Sequence, residues 1–300
     1  MSSHSSTQLP GRASPDLYRP RQCASVWQAP PTRWVELLVE ALESGIGAHT
    51  PQVFFRADDI GAGGRAFETL CALFRFHEVP LNLAVVPAWL SEVRRDQLFR
   101  AAPLDEPLWS WHQHGWRHVN WQRTGKKCEF GEQRPYEKQW RDISQGQQKM
   151  RDIFGSYFVP VFTPPWNRLS FLTLRILQDL QFKGVSLWGP FPRGHKPPIA
   201  LKNLRIQIDL HTRKAAEGEA DYRALLEELK TFLAKRDPVG VMIHHQRMNL
   251  LAFQFLHELL SLLKNRFGAQ FLSFRTMLGE KAGTEKAVSA DSKETEGNGL

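Results

Sequence analysis

Two apolar periods alternate along most of this chain. Stretches with apolar positions every three to four residues fit amphipathic helices and predict them over 33–44, 65–77, 91–101, 136–154, 171–179, 222–235 and 249–266. Ser91 stands where a helix N-cap belongs. Short apolar or alternating runs between them predict strands over 53–56, 81–86, 108–111, 159–162, 184–188, 204–210, 239–244 and 270–274. The run Val239-Gly240-Val241-Met242-Ile243 is apolar throughout, as expected of a strand covered on both faces.

About eight strands separated by helices over roughly 250 residues define an α/β class, either closed into a barrel or open and doubly wound. The residues that follow the strands favour the barrel. Groups capable of chemistry recur after one predicted strand after another: Asp58-Asp59, then His112, His114 and His118, then Asn167-Arg168, Trp188, Asp209 with His211, and His244-His245. A barrel gathers the C-terminal ends of its strands at one mouth, whereas an open sheet spreads them along a line.

Composition narrows the picture. With 300 residues and 42% hydrophobic content the chain can bury one large core. No Gly/Ser linker or internal repeat divides it, so a single domain over 31–280 is expected. A flexible N-terminal arm (1–30), rich in Ser, Pro and Arg, and a disordered polar tail (281–300) would flank it. No apolar run reaches membrane-spanning length, and the first residues lack the apolar stretch of a secretory signal. Three cysteines without a CxxC pair fit a reducing compartment, so a cytoplasmic location is expected. The net charge is +8, but Lys and Arg cluster only in pairs such as Lys126-Lys127 and Arg94-Arg95. A solvated basic surface is therefore expected rather than a nucleic-acid or membrane partner. Nothing in the sequence specifies an oligomeric state.

Two segments carry the candidate chemistry. In Phe55-Arg56-Ala57-Asp58-Asp59-Ile60-Gly61 two adjacent carboxylates follow an apolar strand. They repel, and one would be driven toward protonation unless a cation lies beside them. A divalent ion held by one, with the other left to accept a proton, resolves that conflict; an exposed turn is the alternative. In Trp111-His112-Gln113-His114-Gly115-Trp116-Arg117-His118 three of the chain's 11 histidines fall close together. His114 and His118, four apart, can reach one ion from a single turn, while His112 and His114 could instead share a strand face. One Asp and two His make three protein ligands and leave a position for water, as catalytic metal sites do.

Together these motifs resemble the first two motifs of the polysaccharide deacetylase superfamily, and the likeness runs over residues 53–245. The resemblance implies a deformed (β/α) barrel of about seven or eight strands. It implies Asp58 as general base and Asp59, His114 and His118 around a divalent metal, usually Zn2+. Phe162-Thr163-Pro164-Pro165-Trp166-Asn167 is similar to the family's Arg-x-Pro-Tyr segment, with Trp166 at the aromatic position. That implies an oxyanion donor in the Trp166 N–H and places Asn167 beside the substrate. The family's base-orienting Arg is missing around Thr163, and Arg56 and Arg168 are the candidates to replace it. Ser186-Leu187-Trp188 is similar to the fourth motif, which puts Trp188 by the substrate. Val241-Met242-Ile243-His244-His245 resembles the Leu-Leu-His-Asp motif, with His244 at the general acid's position and His245 in place of the Asp.

Asp209 and His211, alternating on one predicted strand, are expected to line the same pocket, and Trp111, Trp116, Trp166 and Trp188 to stack on sugar rings. The segment Lys127-Cys128-Glu129-Phe130-Gly131 departs from secreted deacetylases and marks a divergent branch. The activity implied is metal-dependent hydrolysis of an acetyl group from an N- or O-acetylated saccharide. Hydrolysis of a non-sugar amide or ester, and a non-catalytic barrel that binds glycan, are the alternatives.

Overall fold

A computed structural model of the chain describes residues 22–191, 201–213 and 215–280. The expected tail over 281–300 lies outside the described residues, as do positions 1–21 of the expected arm. The strands are β1 (Gln52–Ile60), β2 (Leu81–Val85), β3 (Trp109–His114), β4 (Phe158–Thr163), β5 (Gly184–Val185), β6 (Lys202–Asn203), β7 (Ile206–Asp209), β8 (Val239–Ile243) and β9 (Gln270–Phe271). All pair in parallel, in the order β6-β5-β4-β3-β2-β1-β8-β7, with β9 added to β1. β6 and β7 are successive pieces of one extended segment: the first pairs with β5 and the second with β8. Between them the Ile206 N–H donates to the Leu187 carbonyl at 2.9 Å. The sheet therefore returns on itself as a deformed α/β barrel of a single domain, with its weakest seam at the broken strand.

The helices are α1 (Ser25–Gln28), α2 (Trp34–Ile46), α3 (Arg65–His77), α4 (Glu92–Ala101), α5 (Tyr136–Phe154), α6 (Phe171–Asp179), α7 (Gly218–Leu233), α8 (Leu250–Ser261) and α9 (Phe274–Leu278). None of the described helices is long and apolar enough to cross a membrane.

Strand alternation sorts side chains into two apolar layers. Phe55, Leu83, Trp111 and Phe162 face outward into a large core shared with helix residues such as Phe74, Phe154 and Leu256. Fully burying each such side chain contributes roughly 1.5–3 kcal/mol. Phe54, Val161, Ile206 and Met242 form a second, smaller cluster with Phe274 of α9. The Phe274 ring lies 5.6 Å from that of Phe54, and its backbone N–H donates to Asn82 Oδ1 at 2.7 Å. α9 thus closes the barrel at the end away from the carboxylates.

Three expected boundaries are corrected. Residues 24–28, placed within the loose arm, are docked: Trp27 is 1% exposed, and its indole N–H donates to the Leu210 carbonyl at 2.8 Å. The expected last strand stops at Phe271, because Ser273 and Thr276 form a capping box that starts α9 instead. The long last helix ends as α8 at Ser261 and passes into a wider turn over Leu262–Arg266.

Candidate metal centre and cleft

β1 runs through the Asp58-Asp59 pair rather than stopping before it. Its register with β2 shifts between Ala57 and Ile60, and Asp59 has φ 62°. In a regular strand adjacent side chains point to opposite faces. This bulge removes that constraint, so both carboxylates reach the barrel mouth. His118 (φ 59°), Trp166 (φ 57°) and Asn167 (φ 54°) are left-handed as well, so four of the six described non-glycine residues with positive φ belong to this site. Such conformations cost of order 1 kcal/mol or more each and persist only where surrounding contacts impose them.

Asp59, His114 and His118 converge. Asp59 Oδ1 lies 3.2 Å from His114 Nε2 and 3.2 Å from His118 Nε2. One ligand atom from each of the three falls within 4.8 Å of the others. Ligands at about 2.0–2.2 Å from a tetrahedral ion stand roughly 3.3 Å from one another, so this spacing fits a common cation. His114 Nδ1 meets the Thr163 carbonyl at 3.0 Å, which assigns the ring hydrogen to Nδ1 and leaves the Nε2 lone pair facing the centre. Gln246 holds the Asp59 carbonyl at 2.6 Å. The donor set of one carboxylate and two imidazoles therefore fits a divalent metal.

Asp58 stands beside this group but is held otherwise. Its carboxylate is gripped bidentately by Arg56, Nε to Oδ1 at 2.7 Å and Nη2 to Oδ2 at 2.8 Å. Arg56 is fully buried, and it also donates to Ser186 Oγ (2.7 Å) and Asn167 Oδ1 (2.8 Å). Of the two candidates for the missing base-orienting arginine, Arg56 is the one in contact. It comes from β1, two positions before the acid it holds. Arg168 is exposed and donates to the Lys127 carbonyl at 3.1 Å.

Burial alone would raise the Asp58 pKa, but the charge of Arg56, followed by those of His114 and His244, lowers it. Asp59 is likewise opposed by burial yet held well below the usual carboxylate range by His114, then His244 and His118. Burial works against a charged His114 ring, but its hydrogen bond to Asp59 and the nearby carboxylates raise its pKa. His118 is pushed down to about 4 by burial and then by the charge of His114.

Nothing in the sequence sets Glu129 apart beyond its place in an unusual loop. It is fully buried, and its carboxylate accepts the backbone N–H groups of Trp116 (3.3 Å), Arg117 (2.8 Å) and His118 (3.2 Å). Burial raises its pKa against the pull of those donors. A side chain at Gly115 would meet Glu129 Oε2 at 2.3 Å, so the glycine makes room for the clamp. Glu129 thus shapes the loop that carries His118.

The other expected residues divide. Asp58, Asp59, His114, His118, Trp166, Asn167, Trp188, Asp209 and His244 line one cleft of about 1150 Å³. His244 presents a buried Nδ1 that has no hydrogen-bond partner among the described residues. His245 turns away from the cleft: its ring packs 5.5 Å from Phe67, and burial pushes its pKa down to about 3. His211 is a correction. It is 1% exposed and does not line the cleft, because Asp209 Oδ1 accepts the N–H groups of His211 (2.8 Å) and Thr212 (3.0 Å). That turn ends β7 and breaks the alternation that would have pointed both side chains the same way.

His112 sits below the cleft inside the barrel, with Nε2 3.0 Å from Thr163 Oγ1. Of the tryptophans beside the motifs, Trp111 is core, stacked 4.9 Å from Phe154, and Trp116 is partly buried against the same core. Trp166 and Trp188 face the cleft.

No family model matches the sequence, and no curated protein matches it. Solved structures do. A Mycobacterium smegmatis protein provisionally named a polysaccharide deacetylase superposes with TM-score 0.54 at 11% identity, over 77% of this chain and 91% of that one. The peptidoglycan N-acetylglucosamine deacetylase Bc1960 gives TM-score 0.51 at 13% identity, over 78% and 91%. A CE4 family pseudoenzyme of Bacillus anthracis gives 0.46 at 13% identity, over 77% and 66%. At these identities the likeness is one of fold: the chain shares the barrel of the first two structures, the fold implied by its motifs.

Proposed function

We propose that this protein is a divergent polysaccharide deacetylase, a metal-dependent hydrolase that removes an acetyl group from an acetylated saccharide. The observation that carries the reading is the division of labour between adjacent carboxylates. Asp59 joins two imidazoles at spacings suited to one cation, while Asp58, gripped by Arg56, stays outside that set at the same cleft. A divalent metal held by Asp59, His114 and His118 would polarise an acyl carbonyl and acidify a water. Zinc suits such a donor set.

Asp58, kept ionised by Arg56, takes the proton of the attacking water. The grip of Arg56 fixes the carboxylate's direction, which replaces the arginine that the family places elsewhere. His244, lining the cleft, hands a proton to the departing nitrogen or oxygen. The backbone N–H of Trp166 is the candidate donor to the developing oxyanion, a contact typically worth about 3–4 kcal/mol. Trp188 and Asn167 border the substrate.

Acetate release from N-acetylated chitooligosaccharides, O-acetylated xylan and simple acetamides, with and without Zn2+, tests the reading. Turnover of a saccharide is expected only with metal. Asp58→Asn is expected to cut it by about 10²–10⁴-fold, the usual contribution of a general base, without changing bound metal. Release from small amides alone would shift the substrate class to non-sugar acyl compounds. Metal binding without acetate release from any of them would leave a binding barrel.

A further inference from the structure

We propose that the saccharide acted on at this site carries an anionic group, a carboxylate, phosphate or sulfate, on a unit seated across Trp188 from the metal centre. The inference rests on the deacetylase reading and specifies its substrate. Beside the cleft lies a second groove of about 430 Å³, and the two share Lys126, Asn167, Arg168 and Trp188 as a common wall. The metal-centre residues line only the larger space.

The two sides of the cleft differ in charge. On the α7 side Arg213 is paired with Glu228, and Asp221 accepts from Ser25 Oγ at 2.8 Å; Arg247, which also lines the cleft, has no ion-pair partner among the described residues. Asp209 is occupied by the backbone of its own turn, and Asp58 by Arg56. On the opposite side Lys126, Lys127 and Arg168 are all exposed, and none has an ion-pair partner among the described residues. The second groove has Glu132 as its one acid among the described residues.

Lys126 and Arg168 line both spaces together with Trp188, Lys127 lines the larger one, and Trp188 is 47% exposed, open to stacking by a sugar. Holding like charges together around an aromatic platform is unfavourable without a counter-charge, and a neutral glycan supplies none. A guanidinium pairs with carboxylate, phosphate or sulfate oxygens two at a time, and ammonium groups add point charges beside it. The geometry thus fits stacking of a sugar on Trp188 with its anionic substituent toward Lys126, Lys127 and Arg168.

The test uses metal-loaded full-length protein and three probes of equal length: neutral tri-N-acetylchitotriose, an acetylated trisaccharide containing a uronate, and chitotriose sulfated or phosphorylated at O6. Binding is read by tryptophan fluorescence in the Asp58→Asn protein, and turnover by acetate release from the unaltered chain. A charged probe is expected to bind about tenfold or more better than the neutral one at low salt. That margin should shrink several-fold as added salt shortens the screening length to about 8 Å. The uronate and the sulfate or phosphate arms identify which anion is preferred.

In Lys126→Gln/Lys127→Gln/Arg168→Gln the ratio of charged to neutral affinity is expected to fall to about one. An equal loss of exposed charge away from the cleft, Arg33→Gln/Arg100→Gln/Arg236→Gln, should keep the ratio. Equal affinity for neutral and charged probes, or a preference that survives the first triple substitution, overturns the proposal. Acetate release from none of the probes overturns the deacetylase reading instead, while the binding measurements still decide this one.

Discussion

Two pairs of histidines in this molecule look alike in outline and differ in what surrounds them. His114 and His118 at the barrel mouth have ring centroids 5.2 Å apart; His77 and His257, packed between α3 and α8, are 4.7 Å apart. At the mouth both Nε2 atoms turn toward one carboxylate oxygen of Asp59. In the helical layer His77 Nε2 faces His257 Nδ1 directly at 3.0 Å, so the two rings share a single hydrogen. No carboxylate oxygen sits between these rings among the described contacts, and Lys264 donates to the His77 carbonyl at 2.6 Å. Burial, then the charges of His257 and Lys264, pushes His77 down to about 4, and burial lowers His257 too. Proximity of imidazoles alone therefore does not make a cation site. A carboxylate between them, with one ring nitrogen already committed as His114 Nδ1 is to Thr163, supplies the spacing and lone pairs that such a site needs.

The largest effect expected of this contrast is on metal. His114→Ala should weaken Zn2+ binding by more than the roughly 10–100-fold usual for loss of an outer partner, read by calorimetry and elemental analysis. His257→Ala should leave the metal stoichiometry unchanged, and a loss of metal there would erase the distinction. Next comes Arg56. Replacing it by Leu strands Asp58 as a buried unpaired charge and should cost about 3–5 kcal/mol in denaturant melts. Asp58→Asn added to Arg56→Leu should recover part of that, because the stranded charge is gone.

A smaller effect is expected of Glu129→Gln. The amide offers an NH2 toward three backbone donors, loosening the loop that carries His118. Metal affinity should fall by about 10–100-fold, with a modest change in melting temperature. The smallest effect is on pH and belongs to the other pair. The folded-state pKa of His77, about 4, lies below its unfolded value near 6.5. Between those values the unfolded chain binds a proton that the folded chain refuses. Stability is thus full above pH 6.5 and declines gradually as pH falls toward 4. Melting temperatures over that window should drop less steeply in His77→Gln.

The sequence by itself determined the parallel α/β barrel and the residues at its mouth. Both depend on local information: the apolar period sets the element type, and the motifs fall at the C-terminal ends of β1 (Asp59) and β3 (His114, with His118 just beyond), strands that flank β2 in the sheet. What only the tertiary structure decided is direction. The bulge at Asp59 turns two adjacent carboxylates to one side, and a strand read as regular would have separated them. The turn built by Asp209 buries His211, and Trp111 faces the helices rather than a sugar. Arg56 meets Asp58 only because both project from β1 into an interior where Ser186 and Asn167 complete the guanidinium's bonds. Glu129 finds its three N–H donors across a loop of more than ten residues. Such contacts depend on backbone rotations and distant partners that no spacing along the chain encodes.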